Sequence, residues 1–200
     1  MKKLLQINTS LFSSDGQSSR LADTFVATWR ARHPDTTLAV RDLAREPVPH
    51  LDAERFKAFI TAPAERTPQQ AALAEHADEL IRELQEADVV VLGLPMYNFG
   101  VPSTLKAYFD HVARAGVTFR YTEQGPEGLL RDKQVYVLAA RGGFYVGTPL
   151  DSQTGYVRDF FGFLGMKDVE FVYAEGLNID DDSREAGLNA ARERFDALVA

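Results

Sequence analysis

Five short stretches of the chain are dense in apolar and β-branched residues: Lys3 to Asn8, Thr37 to Leu43, Asp88 to Leu94, Gln134 to Ala139 and Val169 to Ala174. Runs of this length predict strands, and Val89-Val90-Val91 in the third predicts one buried on both faces. Between them the apolar positions recur at helical spacing. Leu21, Phe25, Val26 and Trp29 mark a helix ending near His33-Pro34, and Leu73, Ala77, Leu80, Ile81 and Leu84 mark another. Thr67-Pro68-Gln69-Gln70 supplies a capping-box start for the second. Leu105, Tyr108, Phe109 and Val112 follow Pro102, which suits a first helical position. Tyr156 to Leu164 and Asp182 to Ala200 complete the helices, the last opened by the acidic run Asp180-Asp181-Asp182.

Two segments stand outside this alternation. Asp52 to Ile60 reads as a short helix with Phe56, Phe59 and Ile60 on one side, serving local packing, a lid or a subunit contact. Arg114 to Gly128 fits neither period and reads as a projecting loop or short hairpin carrying Phe119 and Tyr121.

Strands alternating with helices imply an α/β fold. The expected form is a doubly wound, five-stranded parallel sheet in the order 2-1-3-4-5 with right-handed crossovers. Neither a repeat nor a linker divides the chain, so residues 1–200 are expected to form one domain. In this order the loops leaving the first and third strands flank one crevice, and the loop after the fourth borders it.

The first loop, Thr9 to Ser19, is rich in hydroxyls and feeds a helix N-terminus, where Ser10, Gln17, Ser18 and Ser19 can hold a phosphate. Ordinary capping by Ser18 or Ser19 is the alternative. The second, Pro95-Met96-Tyr97-Asn98-Phe99-Gly100, offers two aromatics, a thioether and an amide, which suit a flat ring with polar edges. The third, Ala140-Arg141-Gly142-Gly143, permits close backbone approach or is simply a tight turn. A phosphate at one end and a flat ring at the other describe a mononucleotide, and FMN is the implied ligand.

Composition narrows the alternatives. At 200 residues and 45% hydrophobic, the chain can bury a sizeable core. A formal charge of −7 argues against general nucleic-acid affinity. The absence of cysteine removes disulfides, thiolate nucleophiles and zinc–thiolate sites. His33, His50, His76 and His111 show no metal-binding spacing, so no metal is expected. Neither a P-loop nor a dinucleotide fingerprint is present. The start MKKLLQINTS is too short in apolar residues for a signal peptide, and no run reaches membrane length, so a cytoplasmic protein is expected.

Four motifs in order carry a family resemblance: PMYNF at Pro95 to Phe99, ARAGVTFRYT at Ala113 to Thr122, GPEGL at Gly125 to Leu129 and RGG at Arg141 to Gly143. The chain resembles the FMN-dependent NADH-azoreductases, also called FMN-dependent NADH:quinone oxidoreductases, of the flavodoxin-like superfamily. The resemblance implies a homodimer with one FMN per site near the subunit interface. It also implies hydride transfer from NADH to the flavin, then two-electron reduction of quinones or azo compounds by a ping-pong course. Ser10, Gly16, Gln17 and Ser18 would hold the phosphate, with Gly16 standing where some relatives have serine. Pro95, Met96, Tyr97, Asn98 and Phe99 would contact the ring, and Ala140, Arg141, Gly142 and Gly143 would line its pyrimidine side. Phe56, Phe59, Tyr121, Tyr145 and Phe163 would wall the substrate cavity, part of it from the other subunit. The flavin carries the chemistry, and no side chain is assigned as catalytic. A flavodoxin-type single-electron carrier is the alternative, as is a receiver-type domain, which would need an aspartate near Pro95.

Overall fold

A computed structural model describes residues 1–199. Its central sheet consists of β1 (Lys3–Asn8), β2 (Thr37–Asp42), β3 (Val89–Pro95), β6 (Gln134–Ala140) and β7 (Asp168–Ala174), all parallel, in the order β2-β1-β3-β6-β7. Counted among these five alone, the order is second, first, third, fourth, fifth, as the alternation predicts. Register brings the strand ends level: Asn8 lies opposite Gly93, and Pro95 opposite Ala140. The remaining strands, β4 (Phe119–Thr122) and β5 (Gly125–Gly128), form a separate antiparallel hairpin within the segment expected to project.

Helices α1 (Gln17–Arg32) and α6 (Asp181–Leu198) cover one face, and α3 (Pro68–Glu86), α4 (Ser103–Val112) and α5 (Thr154–Leu164) the other. The period of two along β3 explains the division. Val89 and Val91 pack with Phe25 and Trp29 of α1, whereas Val90 and Leu92 pack with Leu80, Leu84 and Phe109 of α3 and α4. Because every residue of β3 is buried, the strand serves both layers.

Helix starts follow local chemistry. Thr67 and Gln70 form the capping box of α3, and the Asp180 side chain accepts from the Ser183 N–H at the start of α6. Several boundaries and faces differ from the expectations. Pro102 caps α4 instead of occupying its first turn, and α5 begins at Thr154. Leu73 is half-buried while Ala74 takes the buried place, because α3 rotates its small side chain toward the layer. Phe56 and Ile60 of α2 (Ala53–Ile60) are exposed; only Ala58 of that helix is fully buried. Ala200, expected in the last helix, lies outside the described residues.

Candidate functional site

The hydroxyl-rich loop leaves β1 and folds back on itself. Ser10 is buried, and its Oγ accepts from the Phe12 N–H at 3.2 Å. A 3-10 turn over Ser13–Asp15 then delivers the chain to Gly16, the extended residue before α1. A Cβ on Gly16 would collide with the Ser10 side chain, so glycine is what lets the loop close this tightly. Gly93 plays the matching part in β3, where a Cβ would stand 3.0 Å from the Ser18 carbonyl of the first helical turn.

Ser18 and Ser19 lie inside that first turn, not at the cap. Both are buried, and neither hydroxyl has a hydrogen-bond partner among the described residues. No side chain among those residues caps α1. The capping alternative therefore fails here. What remains is a 16-residue helix whose first N–H groups and two adjacent hydroxyls are unclaimed, the arrangement that favours an anion.

The connection after β3 is a tight turn. Tyr97 and Gly100 exchange main-chain hydrogen bonds, 3.2 Å from the Tyr97 N–H and 3.0 Å from that of Gly100. Asn98 and Phe99 between them have φ of 50° and 61°. Two left-handed residues in sequence define a primed turn, and a phenylalanine there is strained. The consequence is outward presentation: Asn98 is exposed, and Phe99 is 54% exposed. Tyr97 turns back instead, its hydroxyl accepting from the Leu11 N–H at 3.2 Å and lying 3.4 Å from Ser10 Oγ. The ring candidates and the phosphate candidates thus meet through one phenol.

Beside them, Met96 donates its N–H to the Ala140 carbonyl at 3.2 Å and joins the third loop. Arg141, expected to line a ligand, is fully buried. Its guanidinium bonds Asp151 at 2.8 Å, Thr154 at 3.2 Å and Glu175 at 3.3 Å, and lies over the Tyr173 ring. Its main-chain N–H and carbonyl are engaged with Ala174 and Leu177. Arg141 is consequently a strut in this chain. Gly142 and Gly143 differ, since their N–H groups donate no hydrogen bond among the described residues and remain free for a ligand. Burial pushes the Asp151 carboxyl up, but hydrogen bonds from Arg141 and Thr154 with the arginine charge outweigh it and hold the group below the usual carboxylate range. Glu175 also accepts the N–H groups of Tyr145 and Val146, at 2.9 and 3.0 Å, which sets Tyr145 edge-on to Phe99 with ring centroids 5.8 Å apart.

Two residues with no sequence signal support the turn. Gln153, fully buried, donates from Nε2 to the Pro95 carbonyl at 2.9 Å and the Gly100 carbonyl at 3.0 Å. Ser152 donates its hydroxyl to the Phe99 carbonyl.

Of the aromatics expected to wall a cavity, only Tyr145 reaches this place. Phe59 packs edge-on to His111 and under the Arg114 guanidinium, near the far end of α4. Tyr121 and Phe163 both contact Phe119, where the hairpin meets the last turn of α5. Leu130 donates to the Leu164 carbonyl there, just before β7 begins at Asp168. That is the amino end of the sheet, roughly 20 Å along seven-residue strands from the carboxyl ends. Tyr121 is 75% exposed. A groove of about 1040 Å³ at this end is lined by Thr122, Gly128, Gly162 and Lys167. His111 is buried, and that burial lowers its pKa despite its bond to the Ala107 carbonyl. Among the described residues no helix is long and apolar enough to cross a membrane.

Comparisons with known proteins bear on this geometry. A family model described as Flavodoxin-like fold matches residues 2–199. A protein of Cellvibrio japonicus named FMN-dependent NADH:quinone oxidoreductase is 58% identical over 200 residues, the whole of both chains. One of the same name from Alcanivorax borkumensis is 54% identical over 192 residues, 96% of this chain and 97% of the relative. Among solved structures, an azoreductase from Bacillus anthracis superposes with a TM-score of 0.91 at 32% identity, covering 100% of this chain and 99% of its own. An FMN-dependent NADH-azoreductase from the same species, in complex with FMN, gives 0.88 at 26% identity over 100% of both.

Proposed function

The chain belongs to the FMN-dependent NADH:quinone oxidoreductases of the flavodoxin-like fold, and from that premise we propose that it binds FMN at the carboxyl end of its sheet and uses NADH to reduce quinones and azo compounds. The observation that carries the placement is the Tyr97 hydroxyl, which joins the Ser10 loop to the Pro95–Gly100 turn and so unites an anion seat with a ring seat.

The residues present fit the cofactor. The orphaned Ser18 and Ser19 hydroxyls, the uncapped first turn of α1 and the Gly16 cradle suit its phosphate, with Ser10 and Gln17 at the rim. Met96, Tyr97, Asn98 and Phe99 border the ring, and Asn98 supplies an amide able both to donate and to accept at its edge. The free N–H groups of Gly142 and Gly143 provide fixed dipoles that favour negative charge on the ring's pyrimidine side. Bound FMN supplies the two-electron chemistry between NADH and the acceptor. The chain's own task is to hold that ring flat, keep one face open and orient the two substrates in turn. No side chain is required as an acid, since His111 is buried in the last turn of α4 and protons are available from water.

The reading includes one domain over residues 1–200, a cytoplasmic location and a homodimer. A dimer explains why Tyr121 and Phe163 lie at the wrong end of their own chain for a cavity wall. On this reading the exposed hairpin of one copy covers the ring seat of the other, and Phe56, exposed on α2, is available to join the contact. The single-electron carrier is set aside because the relatives that match over full length are named as oxidoreductases.

One seat used alternately by two substrates predicts parallel double-reciprocal lines when NADH and a soluble quinone are varied together. Intersecting lines contradict the shared seat.

A further inference from the structure

We propose that Gln153 is the positioning residue that fixes the ring-holding turn, with Ser152 as its exposed companion, so that flavin affinity is controlled from beneath the site. The inference rests on the reading that the Pro95–Gly100 turn holds the ring.

Gln153 is fully buried and has no surface to offer a ligand. It acts on the main chain of the turn instead. One N–H of its amide goes to the Pro95 carbonyl, the last residue of β3, and the other to the Gly100 carbonyl, where the turn is left. The amide orientation is forced, because the opposite placement would set its oxygen against both carbonyls. Between these two ties stand Asn98 and Phe99 in left-handed conformation, a state that persists only where the surroundings over-determine it. The hydroxyl of Ser152 donates to the Phe99 carbonyl, so three carbonyls in and beside the turn are held by two adjacent side chains.

The clasp is itself anchored. Asp151 receives the N–H groups of Gln153 and Thr154, at 3.3 and 3.1 Å, and is paired with the buried Arg141. Arg141 in turn bonds Glu175, which holds Tyr145 beside Phe99. The ring-holding turn and the loop after β6 are therefore set by one connected group of polar side chains.

The test is titration of FMN into the flavin-free full-length chain, followed by quenching of flavin fluorescence at pH 5.5 and pH 8, with folding verified by far-ultraviolet circular dichroism. Each variant is compared with wild type at the same pH, because the FMN phosphate itself gains a proton between pH 8 and pH 5.5. Gln153→Leu removes both donors and should weaken binding by about tenfold or more at both pH values. Gln153→Glu sets a carboxylate against two carbonyls at pH 8 and should weaken binding at least as much. At pH 5.5 a buried carboxyl regains its proton, can donate to one carbonyl, and should recover part of the affinity. That recovery is what a residue merely filling space would not produce. Ser152→Ala, at an exposed position, should weaken binding by about two- to fivefold.

Wild-type affinity in both Gln153 variants at both pH values overturns the inference. If neither folds, unchanged affinity in Ser152→Ala overturns it. Wild-type protein that takes up no FMN overturns the functional reading and this inference with it, whereas normal wild-type uptake with unaffected variants overturns the inference alone.

Discussion

Asn98 and Phe99 adopt left-handed conformations in a turn whose main-chain bonds close it, and they tolerate this to different degrees. Asparagine visits that region with local side-chain support, whereas phenylalanine does so at a cost of roughly 1–2 kcal/mol. On the proposed reading Asn98 has two separable roles, turn former and ring contact. Asn98→Gly keeps the turn and removes the amide, leaving ring-edge groups unpaired at about 1–3 kcal/mol, so FMN affinity should fall about 5- to 150-fold. Asn98→Ala adds strain and should fall further. Wild-type affinity in Asn98→Gly would remove the amide from the ring's edge. At this scale residue type alone made Met96 to Phe99 candidates for a ring, and the structure brings Tyr97 against the Ser10 loop. It was silent on Gln153, whose partner Pro95 is 58 residues away and whose neighbours carry no local pattern. Arg141, which the resemblance implies for the pyrimidine side, is buried with its guanidinium turned to Asp151 and Glu175, partners that no local pattern reveals.

Helix and strand identity followed from periodicity, since a buried stripe needs only local spacing to be visible. Helix ends were less legible. Capping by Ser18 or Ser19 was one of two readings of that loop, yet the cap position is Gly16, packed against Ser10 in a contact between loop segments that no propensity encodes. The Arg114 to Gly128 segment was recognisable as a projecting loop or short hairpin, but its strands were not. Its hairpin pairs Phe119 with Gly128 and Thr122 with Gly125, with three glycine or proline residues in β5, and so carries little strand signal. This element bears the strongest case for a partner, because Tyr121 is exposed at the end of the sheet away from the ring seat. Sedimentation at micromolar concentration should give twice the chain mass. A chain that remains monomeric there would leave Tyr121 and Phe163 without a role in the cavity.

For the molecule as a whole, the strand order does most of the work. It places the ends of β1, β3 and β6 side by side, so three loops that are each ordinary in isolation become one site. That architecture was readable because parallel, doubly covered strands must be apolar throughout, as β3 is. The polar group beneath the site, Gln153 with Asp151, Arg141 and Glu175, became visible only once the strands were assembled. The most direct measurement is the visible absorption spectrum of the purified protein, supplied with FMN, before and after anaerobic NADH and again after a quinone. Flavin absorbance that bleaches with NADH and returns with quinone is the predicted result. A protein that stays colourless after FMN is supplied, or a bound flavin that NADH does not bleach, would contradict the assignment.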